Sequence, residues 1–171
     1  MPIYVTLSAR NTSGIVGVCR VTSNRRGGRK PEEVWAANYR SESGKHAQKK
    51  FSVSTLGEKS ALLSALKFRR DYVASAIDRV WLKPKRQLVE KHLEDLGFLI
   101  EYIESIVDES DLYTFLSTLN SPDVSLTEKQ GLIDRRIGQA KFRKLVLAMW
   151  HERCCVTGAT LFLTAAHIKP W

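Results

Sequence analysis

Arginine and amide side chains concentrate in the first part of the chain, where they could recognise phosphates or the edges of bases. Asn38 and Arg40 alternate with apolar residues in a segment of β type, and they therefore share one face of the predicted strand. Arg20, in the preceding β-rich segment, is expected to lie across from them. A guanidinium group binds a phosphate or guanine through two parallel hydrogen bonds. These residue types at this spacing favour a surface that contacts nucleic acid.

A second basic cluster lies in the segment NRRGGRK, which reads as a Gly-Gly turn. It contains Arg25, Arg26, Arg29 and Lys30. A flexible turn suits phosphates, which carry no sequence information. The alternative for all of these cations is a solvated surface.

Composition limits the classes of protein that the chain can represent. Its 171 residues are 43% hydrophobic and 26% charged, as in globular proteins, and 27 Lys and Arg exceed 18 Asp and Glu to give a net charge of +9. This excess makes a polyanion the expected partner. Three cysteines are too few for a disulfide framework, and no secretory signal or bilayer-spanning run is found. A reducing cytosol is therefore the expected compartment.

The net charge is distributed in three blocks. Residues 1–86 hold 18 basic and 6 acidic residues (+12), residues 87–134 hold 2 and 11 (−9), and residues 135–171 hold 7 and 1 (+6). Both ends could face phosphates, whereas the middle would be repelled by them. The alternative is that each block is a solvated face.

Residues 14–57 have the pattern of strands joined by turns. Strands are predicted within Ile15–Val21, Glu33–Arg40 and Lys50–Ser54, and their tight spacing indicates a meander. From Glu58 to about Leu82, apolar residues recur at helical spacing. We expect this amphipathic helix to pack across the sheet and to end before Pro84.

The segments GIVGVCR, VWAANYR and KKFSVSTLGEKSALLSALKFRRDYV resemble the DNA-binding domain of plant ethylene-response factors, a domain that also occurs in phage and bacterial homing endonucleases. The resemblance covers about residues 14–73. It implies that the sheet enters the major groove of double-stranded DNA while the helix packs behind. Cys19 replaces an arginine common in the plant members, so their sequence preference does not carry over. The predicted DNA contacts are Arg20, Arg25, Arg26, Arg29, Asn38, Arg40 and Lys50.

The acidic middle segment is predicted to be helical. Residues 86–107 form one amphipathic stretch, with a potential break at Gly97, and residues 111–119 form a shorter one. Its carboxylates have the spacing of a solvated face rather than of a metal site, and His92 lies on the apolar stripe, where a packed histidine is expected. Ser125-x-x-Glu128 resembles a capping box. The segment either acts as a spacer or packs the basic modules together.

The last segment combines a helical pattern over Ile137–Trp150, a turn in HERCCVTG and a β-leaning stretch over Thr160–Ile168. RIGQAKFRKLVLAMWHERCCVTGATLFLTAAHIKPW is similar to the beginning of an HNH endonuclease domain of the type with CxxTG followed by AAHIxPW. This resemblance covers residues 136–171. It implies a ββα core that binds one divalent metal ion, magnesium or manganese.

By this resemblance His167 is the catalytic general base, which takes a proton from the attacking water. Ala166 stands where many members place a metal ligand, and the family's asparagine and second histidine would follow Trp171, so no metal ligand is assigned. We therefore expect this chain to bind DNA without cutting it. Cys154 lacks the paired cysteine of a zinc knuckle and is predicted to pack within its turn.

The sequence thus predicts an α+β protein in three units. Residues 1–83 form the three-stranded antiparallel sheet with its packed helix, residues 84–134 form an acidic helical linker, and residues 135–171 form an incomplete ββα-metal module. The expected function is that of an HNH endonuclease of homing or phage type, in the cytoplasm of a bacterial or phage-infected cell. The alternatives are a sequence-specific DNA-binding protein without nuclease activity and a protein-interaction domain whose charge is incidental.

Overall fold

The computed structural model describes residues 5–8, 11–23, 31–41, 43–80, 83–161, 163 and 165. It is an α+β fold with one antiparallel sheet and several helices. The strands are β1 (Val18–Ser23), β2 (Glu32–Arg40) and β3 (His46–Ser52), in the order β1-β2-β3. The predicted meander is therefore confirmed.

The turn between β2 and β3 explains why the third strand starts earlier than predicted. Ser41 donates its backbone N–H to the carbonyl of Lys45 (2.9 Å), and Gly44 adopts a φ of 78°, which glycine allows without steric cost. Strand pairing can therefore begin directly after the turn, at Arg40 and His46. At its other end β3 stops at Ser52, whose hydroxyl accepts the N–H of Thr55 and caps a short helix.

Five α-helices follow the sheet within the described part of the chain. They are α1 (Val53–Leu56), α2 (Glu58–Ala76), α3 (Lys83–Ser105), α4 (Glu109–Asn120) and α5 (Leu126–Met149), with a 3-10 turn at Ile77–Arg79 after α2. No helix among the described residues is long and apolar enough to cross a bilayer.

The prediction that Pro84 ends the helix before it is wrong. The helix expected to continue to about Leu82 ends at Ala76, and Val80 is extended (φ −97°, ψ 101°). Pro84 lies in the first turn of α3, where its missing N–H has no intrahelical partner in any case. It therefore begins the next helix instead of ending the previous one, and Gly97 does not interrupt that helix.

The helix α5 begins eleven residues before its predicted start because the capping box is formed. Ser125 Oγ accepts the N–H of Glu128 (3.3 Å), and Glu128 Oε2 accepts the N–H of Ser125 (2.9 Å). Ile133 and Ile137 then bury one face of the helix. As a result α5 runs through position 134/135, where the sequence analysis divided the chain.

One hydrophobic core joins the sheet to the helices. Trp35 and Leu62 are fully buried between the sheet and α2, and Leu99, Leu119 and Ile133 extend the same core into α3, α4 and α5. The acidic segment therefore packs against the sheet-bearing part, which was the second of the two roles considered for it. The glutamates of α3 remain exposed.

Candidate nucleic-acid interface

The strand register assigns each side chain to one of two sheet faces. Residues paired across neighbouring strands share a face, and successive residues alternate. Trp35 and Ala37 face α2. The opposite face, called the outer face below, carries Asn38, Arg40, His46, Gln48 and Lys50.

Gln48 and Asn38 form a hydrogen-bonded amide pair at the centre of this group. Gln48 Nε2 donates to Asn38 Oδ1 at 2.9 Å, and the two residues are direct partners in the ladder. Gln48 is exposed and Asn38 half-buried. The second N–H and the Oε1 atom of Gln48 can thus offer one donor and one acceptor to a ligand.

The exposed side chain of Lys50 lies across the outer face. Its Nζ atom donates to Ser23 Oγ at 3.0 Å. Lys50 belongs to β3 and Ser23 to β1, so the side chain crosses β2 on this face, where Ala36 is its ladder partner. This arrangement brings a positive charge over the middle strand.

Arg40 is anchored at the end of the sheet that carries the turn between β2 and β3. Its Nη1 atom donates to the carbonyl of Gly44 at 2.7 Å, and its backbone N–H donates to Tyr72 Oη at 3.1 Å. The guanidinium group is therefore fixed by the turn and its backbone by α2. His46 is the direct ladder partner of Arg40.

Arg20 does not belong to the outer face, and the expectation that it lies across from Asn38 and Arg40 is wrong. Its ladder partner is Trp35, so it faces α2. It forms ion pairs with Glu33 (2.9 Å) and Glu58 (3.1 Å), and Glu58 also accepts the indole N–H of Trp35 (2.8 Å). A one-residue difference in register exchanges the two faces, and only the structure determines that register.

The remaining predicted site residues lie outside the part of the chain that the structure describes. They are Arg25, Arg26 and Arg29 of the basic turn, and His167. Ala165 is the last described position.

Arg69 was missed by the sequence analysis, although it supports the outer-face residues from α2. Its side chain is only 3% exposed, and its Nη1 atom donates to the backbone carbonyl of Asn38 at 2.7 Å. The N–H of Asn38 in turn donates to the carbonyl of Gly17 (2.8 Å). Burial lowers the pKa of Arg69 to about 10, so the group stays charged at neutral pH.

A cavity of about 590 Å³ lies on the outer face next to this network. Its lining includes Arg40, His46, Gln48, Arg69 and Tyr72. Residues near the start of the chain complete the wall, and among them Asn11 donates to the carbonyls of Ile15 (2.7 Å) and Val18 (3.0 Å). The bond to Val18 occupies a carbonyl at the start of β1.

The segment after α5 forms a compact turn. The N–H of Thr157 donates to Cys154 Sγ at 3.4 Å, and Gly158 donates to the Cys154 carbonyl at 2.9 Å. Hydrogen bonds from Thr157, followed by those from Val156 and Gly158, lower the pKa of Cys154. The described part of this segment, up to Ala165, contains no strand. Nowhere among the described residues do three His, Cys, Asp or Glu side chains cluster as a metal site would require.

His92 is buried on α3, as expected of a packed histidine. Burial, and secondly repulsion by Arg69, lower its pKa to about 4. At neutral pH its imidazole is therefore uncharged.

Comparisons with known proteins gave no match to a family model, a curated protein or a solved structure. The two family resemblances remain predictions from the sequence.

Proposed function

We propose that the chain binds double-stranded DNA through the outer face of its sheet. The observation that carries this proposal is the register, which gathers Asn38, Arg40, Gln48 and Lys50 on the face opposite α2. Strands lie about 4.8 Å apart, so three strands are about 10 Å wide. The major groove is about 12 Å wide, so a sheet of this width matches its dimensions.

The amide pair suits contact with base edges. Adenine presents an acceptor and a donor side by side in the major groove, and an amide side chain can bind both. Gln48 retains one donor and one acceptor after its bond to Asn38. Arg40 has donors only, so it could bind the two acceptors of guanine or two oxygens of a phosphate.

Basic residues are found at both ends of the outer face. Lys45 and Arg40 lie at the turn between β2 and β3. At the other end of the sheet, Ser23 and Glu32 flank residues 24–30, the basic turn that is predicted to contact phosphates. We therefore expect phosphate contacts at both ends of the outer face.

We further propose that the bound DNA is the substrate of an HNH-type phosphodiesterase, with His167 as the general base. The support is the motif CxxTG followed by AAHIKPW in residues 154–171. A magnesium or manganese ion would supply charge stabilisation at the phosphate in that family. The described residues offer no ligand cluster, so no step is assigned to the metal. The outer face would hold the duplex in position.

Salt dependence of DNA affinity tests the first proposal. If about six phosphates are contacted, log K should fall against log[salt] with a slope near −5. Fluorescence anisotropy of a labelled duplex measures this slope. A flat response would contradict DNA binding and would favour a protein-interaction domain.

Nicking of supercoiled plasmid with magnesium or manganese tests the second proposal. Any cleavage should disappear in His167→Ala while DNA affinity is retained. Cleavage that survives the substitution contradicts the assigned base. Since this chain is expected to bind DNA without cutting it, tight binding without any cleavage supports the first proposal and gives no support to the second.

A further inference from the structure

A second cavity lies between residues near the start of the chain and the helices α3 and α5. Its volume is about 400 Å³, within the range of small-molecule sites, about 300–1,000 Å³. Leu88 and Lys91 line it at exposed positions and mark its rim. Its floor is formed by buried residues, which are Ile15, His92, Leu96, Leu99, Ile133 and Ile137. A cavity with a buried, mainly apolar floor and an exposed rim can admit a small molecule.

Contacts within the chain hold the walls of this cavity in place. Lys129 Nζ on α5 donates to the carbonyl of Thr12 at 2.8 Å. Gly14 packs directly on Lys129, because an added Cβ atom would lie 2.7 Å from Lys129 Cβ. On the other side, Lys141 Nζ of α5 donates to Asp95 of α3 at 3.1 Å. The cavity is therefore formed before a ligand enters, which reduces the entropic cost of binding.

Two polar atoms of the lining are buried without a hydrogen bond. His92 is 9% exposed, and its Nε2 atom has no partner among the described residues. Gln130 Oε1 is likewise buried without a described partner, although Nε2 of the same side chain donates to Asp134 at 2.8 Å. A buried polar atom without a partner is destabilising. The two atoms therefore favour a ligand that supplies the missing hydrogen bonds.

The distribution of charge in the lining favours an uncharged ligand. The floor carries aliphatic side chains and the imidazole of His92, whose lowered pKa keeps it uncharged at neutral pH. The charged lining residues are Lys91, Asp95 and Asp134, and none of these three is buried. A charged ligand would lose its hydration against the floor, and the described floor residues carry no opposite charge to replace it.

We propose that this cavity binds a small uncharged molecule with an apolar body and a hydroxyl group, such as an alkylphenol. The apolar body would lie against the aliphatic side chains of the floor. A hydroxyl group both donates and accepts, so it can donate to Gln130 Oε1 and can hydrogen-bond His92 Nε2 in either tautomer. This site goes beyond the proposed DNA binding and does not depend on it.

Calorimetric titration of the whole chain with 4-ethylphenol and ethylbenzene tests the inference, since these probes differ only in the hydroxyl group. We expect 4-ethylphenol to bind at least fivefold more tightly, because ethylbenzene leaves the polar atoms without a partner. Methyl NMR spectra should show shifts at Leu96, Leu99 and Ile133 on the cavity floor. Failure of the folded wild type to bind either probe overturns the inference. Equal or tighter binding of ethylbenzene overturns the role of the polar atoms.

Gln130→Leu and His92→Phe remove the two polar atoms while nearly preserving the size of each side chain. We expect each to weaken 4-ethylphenol binding at least threefold and to leave ethylbenzene binding unchanged or tighter. Both replace a buried, unpartnered atom by an apolar group, so the variants should fold, and thermal denaturation checks this. A loss in only one variant supports the site and identifies the partner of the hydroxyl group. Unchanged binding of 4-ethylphenol in both variants overturns the site.

Gln139→Leu provides the matched control for Gln130→Leu. Gln139 lies on the same helix at an exposed position, is not among the described lining residues, and accepts a hydrogen bond from Arg136 at 3.0 Å. Its substitution makes the same chemical change away from the cavity, so 4-ethylphenol should bind as tightly as to the wild type. Equal losses in Gln130→Leu and Gln139→Leu would overturn the location of the site. Selective loss in Gln130→Leu supports the site even if the chain fails to bind duplex DNA.

Discussion

Arg69 Nη1 and the backbone oxygen of Asn38 are 2.7 Å apart, so a buried cation on α2 fixes the strand segment that faces outward. On the same helix Tyr72 accepts the backbone N–H of Arg40 at 3.1 Å. These two hydrogen bonds join α2 to β2 at Asn38 and Arg40, which are two of the proposed DNA contacts. The outer face depends on residues that DNA itself need not touch.

Arg69→Met should destabilise the fold by about 2–4 kcal/mol, since it removes a charged donor from a buried carbonyl. Urea denaturation followed by circular dichroism measures the change in free energy of unfolding. Arg70→Met is the control and should change that free energy by less than about 0.5 kcal/mol. Similar losses in both variants would contradict the structural role of Arg69.

Gly17→Ala should also be destabilising, whereas Gly97→Ala should not. At Gly17 φ is 76°, and an added Cβ would lie 2.4 Å from Arg69 Nε. Gly97 lies inside α3 with no atom within 4 Å of an added Cβ, so alanine there should stabilise the helix by up to about 1 kcal/mol. Thermal denaturation of the two variants tests the contrast, and a Gly17→Ala protein as stable as the wild type would refute it.

Stability should fall in mild acid because of His92. Its pKa is lowered from 6.5 to about 4, mainly by burial, so the unfolded chain takes up a proton at a pH where the folded chain does not. The free energy of unfolding should therefore be fully maintained above pH 6.5 and should decrease as the pH falls towards 4, by at most about 3 kcal/mol. Urea denaturation at several pH values measures this loss.

His92→Gln distinguishes the contribution of His92 to the loss of stability in acid from that of the carboxylates. The variant has no titrating group at position 92, so the loss between neutral pH and pH 4.5 should become smaller than in the wild type. An unchanged pH dependence in the variant would assign the acid sensitivity to other groups.

Arg40→Ala distinguishes a base contact from a phosphate contact. If Arg40 contacts a base, the substitution should cost about 1–3 kcal/mol on the preferred site and relax the choice of base there. Selection from a randomised duplex library, before and after the substitution, reveals such a change. A uniform loss on all sequences would make Arg40 a phosphate contact instead.

The sheet could be predicted from sequence because its signals are local. Alternation through Glu33–Arg40 predicts Asn38 and Arg40 on one face of the strand and the apolar residues on the other, as observed for Trp35. The location of Arg20 could not be predicted in the same way. Its face depends on which residue of β1 pairs with Trp35, and the short β-rich segment around Gly17 permits either register.

Residues that support the outer face from α2 were harder to predict from sequence than the residues proposed to contact DNA. The apolar periodicity of α2 is equally compatible with an exposed arginine at position 69. The burial of Arg69 depends on the close approach of Gly17, which lies far from it in the sequence. Gly17 was the one available signal, because a residue without a side chain permits the close approach of Arg69. Helix α5 was underestimated for a similar reason: its capping box is local, but its buried face is visible only against α3.

Lys50→Ala compared with Lys67→Ala tests DNA binding by the outer face most directly. Both variants lose one positive charge, but Lys50 lies on the outer face while Lys67 lies on α2, paired with Glu104 at 2.7 Å. Anisotropy titrations of a duplex across salt concentrations should show weaker binding and a slope smaller by about 1 for Lys50→Ala. Lys67→Ala should match the wild type. Equal effects of both substitutions, or a loss confined to Lys67→Ala, would contradict the assignment of the outer face as the DNA-binding surface.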